Sequence, residues 1–177
     1  MNKNTFSNIS MNGRMAYAIL CVEQYLCSKF PDDDWSILSR EMWKVTSLYW
    51  DEWNERFIEI IPQYLFEFDT YENSDFEKIS KEDYFAFVEL FKNKPDTINQ
   101  LLLKLQDLYD VYIYSDIPGE GEEASQIVLD ICNILDQNNV SLPNVESVSF
   151  SSFSEKNGWG NSFNGESLSL ILSADHH

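Results

Sequence analysis

Apolar residues recur at three- and four-residue spacing over most of the chain, the signature of helices with one buried face. Met11, Met15, Ile19, Val22 and Leu26 form such a stripe, widened by Ala16, Leu20 and Cys27, and predict a first helix from about Asn12 to Lys29. Phe30-Pro31 ends it. Asp32, Asp33 and Asp34 then offer a cap and favourable charge for a second helix, in which Trp35, Leu38, Met42, Val45, Tyr49 and Trp53 keep helical spacing. Nothing interrupts that stretch before Pro62, so it reads as one long helix or two joined near Thr46-Ser47. Ser80-Lys81-Glu82-Asp83 resembles a capping box opening a helix through Phe91. Beyond the Asn93-Lys94-Pro95-Asp96 turn, Ile98, Leu101, Leu102, Leu105, Leu108, Tyr109 and Tyr112 make a further helical face. After Pro118-Gly119-Glu120-Gly121, Glu122 and Glu123 open another, carried by Ile127, Val128, Ile131, Ile134 and Leu135 and closed by Asn138-Asn139.

Two stretches read differently. In 63–79, Tyr64, Phe66, Phe68, Tyr71 and Phe76 alternate with polar residues, which allows a short strand near 64–69. After Pro143, Val145, Val148, Phe150 and Phe153 precede the Gly/Asn-rich loop 156–161, and Leu168, Leu170 and Leu172 alternate strictly. Period-two apolar positions around such a loop predict an antiparallel hairpin, which must pack on the helices because two strands alone are marginal in water. The fold class is therefore mainly α, about five to six helices with a small C-terminal antiparallel β-hairpin, or α+β if the hairpin extends a sheet. The chain 1–177 reads as a single domain: a loose polar lead-in over 1–12, a helical body over 13–139 and a β unit over 144–173.

Charge adds what the pattern cannot. Thirty Asp and Glu face twelve Lys and Arg, a formal net charge of -18. Between Phe57 and Glu77 there is no base against six acids: Glu59, Glu67, Asp69, Glu72, Asp75 and Glu77. Between Leu105 and Glu155 there is again none, against ten that include Asp110, Asp116, Glu120, Glu122 and Glu123. These two windows hold sixteen of the eighteen net charges. Charge of one sign gathered in this way attracts a basic partner and repels acidic ones. It argues against direct nucleic-acid contact and against an anionic membrane surface. The polar start Met1–Asn12 lacks the basic-then-apolar order of an export signal, and no apolar run approaches a membrane span, so a cytoplasmic location is expected. Cys21, Cys27 and Cys132 are an odd set and read as thiols, not a disulfide framework.

Catalytic constellations are missing. The only histidines are the terminal His176-His177, which are set aside, so neither Ser-His-Asp nor Cys-His arrangements can be built. No set matches zinc spacing, Asp116–Glu123 does not match a calcium loop, and Gly119-Glu120-Gly121 would repel phosphate. No catalytic residue, metal or cofactor is expected. Trp35, Trp43, Trp50 and Trp53 share a face that suits a core. Trp159, between Gly158 and Gly160, is either an exposed anchor or a plug on a core edge.

Gly13-Arg14-Met15-Ala16-Tyr17, continuing to Cys21-Val22-Glu23, together with Trp43, Trp50, Trp53 and Gly158-Trp159-Gly160, resembles bacterial immunity proteins of contact-dependent and polymorphic toxin systems. The likeness is one of style over most of the chain and assigns no residue a role. It implies a small cytoplasmic protein that binds and neutralises a basic toxin domain, a nuclease in many such systems. Tyrosines among carboxylates suit such an interface, so the expected partner-binding residues are Asp69, Tyr71, Glu72, Asp75, Asp110, Tyr112, Tyr114, Asp116, Glu120, Glu122, Glu123 and Trp159. A nucleic-acid mimic, a general protein–protein adaptor and a carboxylate-dependent hydrolase remain alternatives.

Overall fold

The computed structural model describes residues 1–173 and is built from seven α-helices joined by 3₁₀ turns. They are α1 (Met11–Lys29), α2 (Ser36–Trp43), α3 (Trp50–Ile60), the single turn α4 (Pro62–Leu65), α5 (Lys81–Phe91), α6 (Asp96–Asp110) and α7 (Glu122–Gln137). Every position from Met11 to Glu23 is buried, so α1 is enclosed on all sides rather than on one face. Helices α2, α6 and α7 pack around it. Small residues permit this: a Cβ on Gly13 would stand 2.6 Å from the Ile9 side chain.

Start signals act largely as the sequence predicts. Ser80 and Asp83 form a reciprocal capping box at α5. The Asp32–Asp34 run works through Asp34, which accepts from the Ser36 amide at 2.9 Å. The second predicted helix is two, separated by a 3₁₀ turn at Lys44–Thr46 and a loop that leaves Tyr49 80% exposed, where periodicity places it in the core. The break lets α3 fold back on α2, where the Trp53 indole donates to the Glu41 carbonyl at 2.9 Å. The four tryptophans 35, 43, 50 and 53 are all buried.

Three expectations are corrected. No strand forms at 64–69; that segment is α4 and irregular chain with a 3₁₀ turn at Tyr71–Asn73. The lead-in 1–12 is not loose: it carries a 3₁₀ turn at Lys3–Phe6, buries Phe6 and Ile9, and ends in Ser10, the cap of α1. The C-terminal hairpin is absent from the described residues. Segment 144–173 is instead an arm of three short 3₁₀ turns laid over the helices. Asn144 and Asn164 nucleate two of them by accepting from the amides of Glu146 and Glu166. The arm's backbone bonds to itself only within short turns, and its long-range partners lie on the N-terminal segment and the helical body. Ser10 N–H donates to the Ser151 carbonyl at 2.9 Å, Phe153 N–H to that of Asn8 at 2.9 Å, and Phe163 N–H to that of Thr46 at 3.0 Å. Leu168, Leu170 and Leu172 do not alternate about a sheet: Ser169 and Leu172 are drawn inward and Leu170 is exposed.

Two buried charges on α1 fasten these irregular segments. The Arg14 guanidinium donates to the carbonyls of Ile9 (2.9 Å), Phe6 (2.9 Å), Gly121 (2.6 Å) and Glu120 (2.6 Å). Burial lowers its pKa to about 10, which leaves it cationic at neutral pH. One side chain thus ties the N-terminal turn to the loop before α7. Glu23 does the same for the arm. Its Oε1 accepts from the Trp43 indole at 2.8 Å and from the hydroxyls of Ser39 and Ser169, and its Oε2 from the Leu170 amide at 2.7 Å. A buried charge is tolerable when hydrogen bonds replace its water; four of the five Arg14 donors are used and Glu23 accepts four bonds.

Candidate partner-binding surface

The segment 110–123 joins α6 to α7 and is polar outside, yet firmly held. Tyr112 lies in the core, 4% exposed, and its hydroxyl accepts from the Glu123 amide at 3.2 Å. That removes Tyr112 from any contact surface and makes it a cap for α7, whose N-cap Gly121 (φ 67°) has no side chain to offer. Arg14 grips the segment again at Glu120 and Gly121. What the frame displays outward is Tyr114, 88% exposed, with Asp110, Asp116, Glu120, Glu122 and Glu123 all exposed on the same segment. Among the described residues none of these five carboxylates takes part in an ion pair, whereas Lys44, Arg56, Lys78, Lys81, Lys92, Lys94 and Lys104 are all spent on acids elsewhere. The cation beneath the segment is the buried Arg14, which attracts Glu120 and Glu122, so the negative field over this segment is only partly compensated.

Beside it lies the ring of Trp159. The choice between anchor and plug resolves toward the plug: Trp159 is half-buried, packs edge-on against Trp50 at 5.0 Å, and its carbonyl accepts from the Asn12 amide at 3.1 Å. Its flanking glycines have φ of 93° and 80°, and a Cβ on Gly160 would meet the Ser10 hydroxyl at 2.3 Å. The exposed edge of Trp159 borders a groove of about 380 Å³ with Tyr49, Asp51, Ile113 and Lys156. Asp51 is fixed there by the Tyr109 hydroxyl, which donates at 2.7 Å. Burial first, then the hydrogen bonds to Asp51 and Tyr114, push the Tyr109 hydroxyl well above a normal phenol. Tyr49 and Asp51 were not among the expected contact residues, because helical spacing assigned Tyr49 to the buried face of the second helix.

The first acidic window lies elsewhere. Gln63 N–H donates to the Asn99 side chain at 3.0 Å, so the window sits near the start of α6, whereas Asp110 ends that helix. At 1.5 Å per residue, Asn99 and Asp110 are about 17 Å apart along the axis of α6. Of the residues expected to contact a partner there, Asp69 and Asp75 are exposed. Glu72 is paired with Lys81. Tyr71 is half-buried, its ring against Phe76 and Tyr84 and its hydroxyl donating to the Ile79 carbonyl at 3.1 Å. The fold thus unites Asp110, Tyr114, Asp116, Glu120, Glu122 and Glu123 with the edge of Trp159 at one end, and keeps Asp69 and Asp75 at another.

No protein-family description matches the chain, and no curated protein or solved structure does either. Surface chemistry alone therefore carries the functional argument. No group of three or more His, Cys, Asp or Glu among the described residues is arranged to hold a metal ion. No described helix is long and apolar enough to cross a membrane.

Proposed function

We propose that this chain is an immunity-type protein that binds a basic toxin domain and covers its functional surface through the 110–123 segment. One observation carries the reading: on a segment clamped from beneath by Arg14, exposed Tyr114 is accompanied by five exposed carboxylates that enter no ion pair among the described residues. Such a surface loses little conformational entropy on docking, because its backbone is ordered beforehand. Its carboxylates stand in for the phosphates that a nuclease would bind, and Tyr114 supplies buried area together with a phenolic hydrogen bond. In the barnase–barstar complex, close charge pairs of this kind contribute about 1.5–7 kcal/mol of coupling. The nearby Trp159–Tyr49 groove extends the surface with apolar area.

Co-expression with a toxin domain encoded beside this chain tests the proposal. Cells survive with the wild-type chain and die with the quadruple variant Asp116→Ser, Glu120→Ser, Glu122→Ser, Glu123→Ser. Death with the wild-type chain removes the reading; survival with the variant moves the interface elsewhere. The association rate with the toxin falls more than about tenfold from low to high salt if charge steers the encounter.

A further inference from the structure

At the other acidic end, a groove of about 380 Å³ opens between α3 and the 64–78 segment. Its apolar lining is Ile58, Tyr64, Phe68 and Phe76, all half-buried, with the two phenyl rings edge-to-face at 5.7 Å. Its acidic lining divides by chemistry. The Glu59 carboxylate is consumed by the chain, accepting from the amides of Glu77, Lys78 and Ile79 at 2.8–3.2 Å, and so fixes the wall 77–79. Glu55 is neutralised by Lys78 at 2.7 Å. Glu67, Asp75 and Glu77 enter no ion pair among the described residues and line the same opening. Aromatic faces beside uncommitted carboxylates make a poor seat for an anion and a good one for a flat, weakly hydrated cation.

We infer that this groove seats an arginine side chain presented by a basic protein partner, its guanidinium against Phe68 and Phe76 and its donors toward Glu67, Asp75 and Glu77. The inference rests on the reading of a basic partner but concerns a groove to which no residue of the 110–123 segment contributes. Guanidinium fits better than ammonium here because its planar face can lie on a ring while its edge reaches carboxylates, whereas an ammonium presents only a point charge.

Titration of the ¹⁵N-labelled chain with acetylated, amidated tri-arginine, followed by NMR, tests it without any toxin. Expected shifts concentrate at Glu67–Phe68 and Asp75–Lys78. Glu67→Gln with Glu77→Gln, two exposed positions that leave the fold intact, weakens binding at the groove about tenfold. Phe76→Leu removes the preference for tri-arginine over tri-lysine. The quadruple 116/120/122/123 variant leaves groove binding unchanged. Shifts confined to 110–123, equal binding of the double glutamine variant, or spermidine binding at the groove as tightly as tri-arginine each overturn the inference. A filled groove with failed co-expression sinks the immunity reading alone; an empty groove with protected cells sinks the groove alone.

Discussion

Replacing Arg14 by Met keeps an unbranched side chain, two heavy atoms shorter, and removes all five donors. Four buried or half-buried carbonyls, of Phe6, Ile9, Glu120 and Gly121, then lose their partner. An orphaned buried acceptor costs about 1–3 kcal/mol. Glu120 lies at the surface and recovers water, so the lower part of that range applies, and the sum is about 3–5 kcal/mol. Against a typical domain stability of about 5–15 kcal/mol this is severe. With a urea slope near ~2 kcal/mol/M the midpoint falls by about 1.5–2.5 M. Tryptophan fluorescence follows the transition. Amide exchange adds the local signature: 120–123 and 6–9 lose protection first, before the α1 interior. Arg14→Lys retains the charge, but one ammonium cannot span acceptors on two separate segments, so it recovers less than half the loss. A loss below about 1 kcal/mol in Arg14→Met, with unchanged exchange at 120–123, would show that Arg14 does not clamp the surface.

Glu23→Gln turns an acceptor-only group toward four donors and places an amide NH₂ among them, so it costs about 3–5 kcal/mol and frees the arm, read as fast exchange at the Leu170 amide. Gly160→Ala must hold φ at 80° and displace the Ser10 hydroxyl; thermal melting shows a loss of at least about 2 kcal/mol, with weakened capping of α1. Thiol titration of the native protein gives one accessible group, Cys27, slower than a free thiol because burial raises its pKa, and three in denaturant, Cys21 and Cys132 being buried. Acid acts locally on α5. Burial pushes Asp83 up, but hydrogen bonds from Ser80 and the Arg56 guanidinium outweigh it, leaving the carboxyl below its usual value. The resulting stability is present above about pH 4 and is lost as pH falls through the depressed native value; exchange at 80–83 then rises in the wild-type chain and is already fast in Asp83→Asn.

Apolar spacing determined by itself that α1, α5, α6 and α7 exist and nearly all of their ends, because helix periodicity, capping boxes and Gly/Pro punctuation are local physics. The exception is α6, which stops at Asp110 although its face reads on to Tyr112. The uneven charge was equally plain along the chain. Tertiary structure decided the rest. Segment 144–173 carries alternation that suits a strand, but its donors and acceptors met Asn8, Thr46 and Glu23 on the helical body, and long-range pairing overrode the local pattern. Tyr49 and Tyr112 exchanged their expected places, one thrown outward by a helix break and the other drawn in to cap α7. Arg14 and Glu23 offered one legible signal, single charges inside an otherwise apolar helix, but nothing local states which distant carbonyls or hydroxyls will satisfy them. Nor does residue order reveal that Gln63 of one acidic window meets Asn99 near the start of α6 while Asp110 of the other ends that helix: residue order tells how much charge a segment carries, and only packing decides which charges share a face.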